Sequence, residues 1–316
     1  MNDLSYTSLI NNTLEMYLQG EYSKAYDFIT ENSSKVNGNL AQIYNFRYCI
    51  AIKAGFNELS LQIMKEAIVD KGFWYSYEYL NNDEDLMPLH DNELFKELIQ
   101  ICRNRQAEAI ISTKPHMKLF ETTLDTKGKR SLIMALHGNQ ENIEITEQYW
   151  NTNCTRGLLL GLVQSSSIDF SDAYIWNDVE KGAIEIQQHY NHIKDIYDID
   201  ITNVIIGGFS AGAATALYSV INGYVPAKGM ILFGPWVPDI KKWEKQLDQL
   251  KEKKVKSYIV CGDRDEECYE CTMQLVETLK EKEIEYEFII IKGLKHQYPD
   301  DFDTVLESAL GFINKS

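Results

Sequence analysis

Long hydrophobic segments and clusters of basic residues are both missing from this chain of 316 residues. No run of about 18 uncharged apolar residues occurs, so the sequence predicts no transmembrane helix. The 47 Asp and Glu residues outnumber the 31 Lys and Arg residues, and the formal net charge is -16. Because nucleic acids and anionic membranes bind clustered basic side chains, we expect neither as a partner. The first residues show no basic stretch followed by an apolar run, so we expect a cytoplasmic protein without membrane insertion.

Cysteine is also sparse, and the six residues are scattered along the chain, a distribution typical of reduced thiols. Cys268 and Cys271 form a C-x-x-C pair, but a zinc site needs a second ligand pair at matching spacing and the sequence offers none. His189 and His192 likewise have no third ligand near them in sequence, and their helical spacing indicates a solvated face. The sequence therefore predicts no metal.

The spacing of the apolar residues changes near residue 112. From residue 4 to about 105 they recur at helical intervals, glycine is sparse, and no run of β-branched residues appears. Beyond Lys114-Pro115, short apolar segments alternate with amphipathic ones. We therefore predict two domains: an all-helical domain over 1–112, and an α/β domain over 113–316 with a mainly parallel sheet covered on both faces.

The helical region repeats itself with a shift of 35 residues, since residues 20–29 align with residues 55–64. A glycine at the turn between two helices, an aromatic residue two positions on and a small residue at the helix crossing resemble the tetratricopeptide pattern. In the second copy Asn57 replaces the aromatic residue and Ser60 replaces an alanine, so the match is partial. The resemblance predicts a tetratricopeptide-like domain that serves packing, covers a site or binds a protein partner.

In the second region, residues 117–124 and 131–136 are expected to form a hairpin around residues 126–129. Further strands are predicted at 157–163, 203–206, 229–233, 256–261 and 285–291, and helices at about 178–197, 211–222 and 269–281. In a parallel sheet of this kind the loops that follow the strands carry the active site.

One such loop is Gly208-Phe209-Ser210-Ala211-Gly212, which joins an apolar strand to a helix-forming segment. This G-x-S-x-G pattern is typical of a nucleophile elbow, in which glycines without Cβ atoms let the strand turn sharply and present the serine. The same residues do not fit G-x-G-x-x-G, and Ala213-Ala214 stand where a phosphate loop requires Lys followed by Ser or Thr. The sequence therefore predicts a nucleophile, Ser210, and no cofactor.

A serine nucleophile requires an acid and a histidine later in the chain, each in a loop after a strand. Asp263 and Asp265 follow the strand at 256–261, and His296, the last histidine in the chain, follows the strand at 285–291. We predict that His296 is the general base and that Asp265 orients it. Asp263 is the alternative acid, although its place beside Gly262 favours a role in shaping the turn.

The oxyanion of an acyl-transfer reaction needs two preorganised N–H donors. One is expected from the backbone of Ala211, directly after the nucleophile, and the other from Asn139 or Gln140 in the loop after an early strand. His137 begins that loop and is expected to brace it by hydrogen bonding. Trp176 and Trp236 also follow strands, and each either lines an acyl pocket or belongs to ordinary packing.

Residues from about 115 to the C-terminus resemble the α/β-hydrolases. The features that match in order and spacing are His137-Gly138, the elbow, residues 262–265 and the segment beginning at His296. The nearest groups are the phospholipase/carboxylesterases, acyl-thioesterases and dienelactone-hydrolase-like proteins, although a dienelactone hydrolase proper would carry cysteine where this chain has Ser210. The resemblance implies hydrolysis of an ester or thioester through an acyl-enzyme.

We therefore expect a serine hydrolase that cleaves a small carboxylic ester with a Ser210-His296-Asp265 triad. The alternatives are an acyl-thioesterase or peptidase with the same triad, and a helical-repeat interaction protein whose hydrolase domain is a scaffold. Because no amphipathic, membrane-seeking lid is evident in the sequence, short acyl chains are the expected substrates.

Overall fold

The chain forms two compact units in this computed structural model, which describes residues 4–121 and 128–315. The first unit runs to Lys114 and includes the later segment Ser167–Tyr174, whereas Pro115–Ser166 and the residues from Ile175 onward make up the second. The helices of the first unit are α1 (Tyr6–Leu18), α2 (Tyr22–Asn32), α3 (Leu40–Lys53), α4 (Asn57–Lys65), α5 (Tyr77–Asn82) and α6 (Glu93–Ser112). A π-helical turn at Glu66–Asp70 continues α4, and 3₁₀ turns occupy Ser33–Lys35 and Glu84–Leu89.

The sequence repeat corresponds to two helical hairpins, α1 with α2 and α3 with α4. Gly20 and Gly55, which align in the repeat, both follow the first helix of a hairpin and adopt positive φ values of 76° and 85°. The small residues Ala25 and Ser60, which also align, are both fully buried. The paired positions thus have equivalent environments in the two hairpins, while the assignment to tetratricopeptides stays a prediction.

The second unit is built on a seven-stranded sheet with the order β1-β3-β2-β6-β7-β8-β9. The strands of the chain are β1 (His116–Phe120), β2 (Arg130–Leu136), β3 (Leu159–Gln164), β4 (Ile168–Phe170), β5 (Ala173–Tyr174), β6 (Ile199–Phe209), β7 (Gly229–Phe233), β8 (Lys256–Gly262) and β9 (Tyr286–Ile291). Within the sheet only the pairing of β1 with β3 is antiparallel among the described residues. The expected α/β architecture is confirmed.

Helices cover this sheet on both faces. They are α7 (Ile143–Trp150), α8 (Val179–Ile196), α9 (Ser210–Ile221), α10 (Asp248–Glu252), α11 (Tyr269–Glu281) and α12 (Phe302–Asn314), with 3₁₀ turns at Asn153–Thr155 and Ile240–Trp243. Alternate residues of the central strands enter two separate cores: Met134 packs with the apolar faces of α8, α9 and α11, whereas Ile133 packs with those of α7 and α12. Central parallel strands buried on both faces are uniformly apolar for this reason.

Side-chain caps fix where several helices begin. Asn39, Asn92, Asn142 and Asp178 each accept a hydrogen bond from a backbone N–H in the first turn of α3, α6, α7 and α8. Such caps satisfy amide groups that have no partner within the helix. Across residues 4–121 and 128–315, none of these helices has the length and apolar character needed to cross a membrane.

The hairpin expected from residues 117–124 and 131–136 is wrong as a pairing, because β1 and β2 are not neighbours in the sheet. β3 lies between them, antiparallel to β1 and parallel to β2. The physical reason is burial: β2 is largely buried and needs a parallel neighbour on each side, whereas β1 is half-exposed and takes the edge. The expected turn lies partly outside the described residues, which omit 122–127.

An unexpected two-stranded ribbon of β4 and β5 belongs to the helical unit. Ser171, at its turn, exchanges backbone and side-chain hydrogen bonds with Trp74: Ser171 N–H donates to the Trp74 carbonyl (3.1 Å), and Trp74 N–H donates to Ser171 Oγ (2.8 Å). The buried amide of Asn39 donates to the Ser171 carbonyl (2.9 Å). Ile168 and Phe170 pack on the apolar core of the helices. Eight residues from the middle of the chain thus complete the first unit.

Candidate active site

The predicted nucleophile elbow joins β6 directly to α9. Ser210 is the first residue of α9 and adopts φ 54°, a left-handed conformation that costs free energy for a residue with a side chain. A Cβ atom at Gly208 would lie 2.7 Å from the Leu136 carbonyl oxygen, and one at Gly212 would lie 2.1 Å from the His137 carbonyl oxygen. Only glycine allows such close backbone approach, so these two positions hold the sharp turn that presents Ser210.

Three side chains from separate loops meet at this turn. Ser210 Oγ lies 3.0 Å from Nε2 of His296, and Nδ1 of His296 lies 2.8 Å from Oδ2 of Asp265. Asp265 is 2% exposed and Ser210 is 8% exposed, so bulk water competes little for these hydrogen bonds. A carboxylate on Nδ1 fixes the imidazole tautomer that leaves Nε2 able to accept the serine proton.

The two candidate acids have different partners. The other oxygen of Asp265, Oδ1, accepts the backbone N–H of Cys268 at 2.9 Å, so both of its oxygens are held. Asp263 instead accepts the N–H of Gly293 and lies at the surface. Asp263 thus ties the loop after β8 to the loop after β9, while Asp265 faces His296.

Opposing effects act on the pKa of His296. Burial alone lowers it, but the hydrogen bond and the negative charge of Asp265 raise it, as do the charges of Glu267 and Glu141, and the net direction is upward. Glu267 is exposed and lies 3.9 Å from Nε2. A raised pKa makes His296 a stronger base than free histidine, at the cost of protonation at mildly acidic pH.

His137 has the bracing role expected from the sequence. Its Nε2 accepts the backbone N–H of Ser165 (3.2 Å), which leaves the proton on Nδ1 to be donated to the Gly138 carbonyl (2.7 Å). The ring is fully buried, and burial lowers its pKa to about 4. A histidine that stays neutral and uses both ring nitrogens in the loop is unsuited to proton transfer there.

The loop that His137 braces carries the candidate oxyanion donors. Neither Asn139 N–H nor Ala211 N–H donates to another residue within the described chain, and Ala211 lies in the first turn of α9, where amide groups have no helical partner. Gln140 adopts φ 61°, and Glu141 N–H donates to the Gly138 carbonyl (3.2 Å) to close a tight turn.

Glu141 is a feature that the sequence interpretation missed. Its Oε2 accepts the N–H of Gly138 at 2.8 Å, and the residue is only 6% exposed. Burial raises the pKa of its carboxyl to about 7, while the hydrogen bond from Gly138 and the charge of His296 act in the opposite direction. The sequence feature that could have indicated this residue is the position of an acidic side chain between the end of β2 and the apolar start of α7.

The two tryptophans differ sharply in exposure. Trp176 is buried, stacks near His137 at 4.9 Å between ring centroids, and donates its indole N–H to the His137 carbonyl (2.9 Å). Its backbone N–H donates to Oδ1 of Asn139 (2.7 Å), so this residue supports the loop that begins at His137. Trp236 is 45% exposed, and its backbone N–H donates to the Ser210 carbonyl (3.1 Å). A pocket-lining role for either ring stays a prediction.

Within the described residues one group has the composition of a metal site: Asp265, Cys268 and His296, whose ligand atoms lie within 4.8 Å of one another. Asp265 and His296 are already hydrogen-bonded to each other, and a cation would have to displace that bond. We therefore interpret Asp265 and His296 as a hydrogen-bonded pair rather than as metal ligands.

Family models match both parts of the chain. Residues 5–110 match the A/B hydrolase-like, N-terminal domain family, and residues 167–316 match the phospholipase/carboxylesterase family. A search of the curated proteins found no match.

Several solved structures are similar to this chain. An uncharacterized protein from Bacillus cereus ATCC 10987 is 43% identical over 98% of this chain and 99% of its own, with a TM-score of 0.58. Esterase PE8 is 17% identical over 63% of this chain and 99% of its own (TM-score 0.53), and Zea mays acyl-protein thioesterase 2 is 18% identical over 63% and 99% (TM-score 0.50). At such low identity these last two support the fold alone.

Proposed function

Because the chain belongs to the α/β-hydrolases, with a phospholipase/carboxylesterase region preceded by a hydrolase-associated helical domain, we propose that it is a serine hydrolase that cleaves a carboxylic ester through an acyl-enzyme. The observation that carries the proposal is the position of His296, with one ring nitrogen 3.0 Å from Ser210 Oγ and the other 2.8 Å from Asp265. The three side chains that we propose as nucleophile, base and orienting acid are thus joined by hydrogen bonds, which supports the proposal.

In the proposed reaction Ser210 Oγ attacks the acyl carbon while its proton passes to Nε2 of His296. The negative charge that develops on the substrate oxygen is stabilised by the N–H groups of Ala211 and Asn139 or Gln140. His296 then protonates the departing alcohol, leaving an ester between the acyl group and Ser210. Water repeats the sequence with His296 again as base, which releases the acid and regenerates the serine.

Labelling with a fluorophosphonate tests the nucleophile. We expect wild type to be labelled at Ser210, and Ser210→Ala to lose labelling and to lose turnover on the order of 10⁴-fold or more. Ser219→Ala is the matched control, because Ser219 lies in the same helix with its hydroxyl bonded to the Thr215 carbonyl. A folded wild-type protein that takes up no label would contradict the proposal and favour a scaffold role.

The leaving group and acyl chain are tested by turnover on paired oxygen and sulfur esters of increasing chain length. We propose a preference for short acyl chains on oxygen esters. Faster turnover of matched thioesters would identify an acyl-thioesterase, since the acyl-enzyme chemistry is shared and only the pocket and leaving group differ. A rise in kcat/KM with long chains would contradict the short-chain proposal. Ser210→Ala measured on every substrate excludes contaminating activity.

A further inference from the structure

Three cysteine thiols surround the loop that carries Asp265. Cys261 Sγ lies 3.9 Å from Asp265 Oδ2, and the backbone N–H of Cys268 donates to Asp265 Oδ1 at 2.9 Å. The thiol of Cys271 donates to the backbone carbonyl of Cys268 at 3.2 Å. The triad acid is thus held by the backbone of one member of a thiol pair.

The second member of the pair contacts the loop beside the nucleophile. Cys271 Sγ accepts the N–H of Val237 and lies 3.4 Å from the Pro235 carbonyl. Trp236, between those two residues, donates its N–H to the Ser210 carbonyl. Movement of the Cys271 sulfur therefore acts on the loop whose Trp236 N–H is hydrogen-bonded to Ser210.

A disulfide between Cys268 and Cys271 requires a local shift of the backbone. Cys268 is the N-cap of α11 and Cys271 lies in its first turn, so the two Cβ atoms are about 5–6 Å apart by helical geometry. A disulfide requires about 3.5–4.5 Å between Cβ atoms. Closing the bond draws Cys268 toward the first turn of α11, and this movement acts on the N–H that Cys268 donates to Asp265.

We propose that Cys268 and Cys271 form a reversible disulfide, made by a small peroxide, that lowers the hydrolase activity by displacing Asp265; this regulatory role rests on the proposed function. Cys271 is the attacking thiol, because it is 8% exposed while Cys268 is fully buried. The neighbouring Cys268 thiol and the N–H of Val237 lower the pKa of Cys271 below its usual value, whereas the Cys271 thiol and burial raise the pKa of Cys268.

The chemistry balances with hydrogen peroxide as oxidant. Cys271 thiolate attacks one peroxide oxygen, the O–O bond breaks, and hydroxide leaves and takes up a proton as water. Cys268 then attacks the sulfur of the resulting sulfenic acid, the S–S bond forms, the S–O bond breaks, and hydroxide leaves with the thiol proton as a second water. Two thiols are oxidised by two electrons and the peroxide is reduced to two waters.

The test uses the full chain, treated with hydrogen peroxide and then freed of it. Trypsin cleaves after Arg264 and Lys280, so residues 265–280 form a peptide that contains Cys268 and Cys271 and no other cysteine. We expect this peptide to lose two hydrogens, about 2 Da. We expect kcat/KM to fall on the order of tenfold, because one hydrogen bond to a carboxylate is weakened. Dithiothreitol should restore both the mass and the activity.

The kcat/KM of Cys271→Ala should be the same before and after peroxide treatment. Cys271→Ser replaces this variant if the alanine variant does not fold. Cys154→Ala removes a partly exposed thiol elsewhere and should respond as wild type does. An unchanged peptide mass, a disulfide that leaves kcat/KM within twofold, or equal reversible inactivation of Cys271→Ala would each overturn the proposal. Failure of the reduced protein to react with fluorophosphonate would instead overturn the hydrolase function, and the peptide mass would still report on the thiol pair.

Discussion

Replacing Glu141 by glutamine should stabilise the protein at alkaline pH and leave it nearly unchanged at acid pH. Glu141 is buried, interacts electrostatically with His296, and accepts the Gly138 N–H, which an amide oxygen can also accept. Burial raises the pKa of the carboxyl from its ordinary value of 4.5 to about 7. The folded state therefore binds the proton more tightly than the unfolded state does.

The difference in proton affinity makes the stability of wild type depend on pH. Below pH 4.5 the carboxyl is neutral in both states, and no stability is lost. As the pH rises from 4.5 to about 7, ionisation of the carboxyl lowers the free energy of the unfolded state but not that of the folded state. Wild type therefore loses stability throughout this window. At about 1.36 kcal/mol per pH unit, the loss amounts to about 3 kcal/mol above pH 7. Glu141→Gln cannot ionise, so above pH 7 its free energy of unfolding should exceed that of wild type by that amount.

Urea unfolding at pH 4.5 and pH 8, followed by a probe in the α/β unit, measures the effect. The free energy of unfolding of Glu141→Gln should exceed that of wild type by about 3 kcal/mol at pH 8 and by less than about 1 kcal/mol at pH 4.5. Glu144→Gln is the control, because Glu144 lies three residues on and is exposed. A difference between Glu141→Gln and wild type that does not change with pH would refute the argument.

Three further outcomes follow from the site. Asp265→Asn should lower kcat/KM on the order of 10³- to 10⁴-fold, and Asp263→Asn should stay within about threefold of wild type; equal losses would reject Asp265 as the orienting acid. The pKa of His296 is raised, and a general base must be unprotonated to act, so kcat/KM should rise with pH through a midpoint above 6.5. A midpoint below that value in the pH–rate profile would contradict the role of His296 as base. Gly212→Ala should lower the free energy of unfolding by about 3 kcal/mol, measured by heat or urea, because its Cβ atom would meet a carbonyl oxygen. Gly311→Ala, in open space on α12, should instead raise it by about 0.5–1 kcal/mol. A Gly212→Ala variant as stable as wild type would exclude the close approach.

The α/β architecture was predictable because its signals are local. An apolar strand, a glycine turn and a helix are contiguous around Ser210, and a parallel sheet brings the ends of neighbouring strands to one edge. The order of Ser210, Asp265 and His296 along the chain then indicated which loops to compare. Whether Asp263 or Asp265 faces the histidine depends on how the loop after β8 bends, which the sequence pattern expresses only weakly.

The errors and omissions concern contacts between distant segments. The hairpin predicted from β1 and β2 failed because nearness in sequence favoured it, whereas the sheet inserts β3 between them. The support that Trp176 gives to His137 joins residues about 40 positions apart and has no local pattern. The buried carboxyl of Glu141 depends on the surrounding loops for its environment, and an acidic residue in a loop is ordinarily solvated.

The ribbon of β4 and β5 has a consequence for synthesis of the chain. The helical unit takes in Ser167–Tyr174, so its folding cannot be completed when residue 114 leaves the ribosome. Until Ser171 and Phe170 are made, Trp74 lacks its hydrogen-bond partner and the apolar surface beside Tyr75 lacks its covering ring. The helices must therefore wait, incompletely packed, while β1, β2 and β3 are translated. A recombination event at the apparent domain boundary would transfer the helices without the eight residues that complete their core.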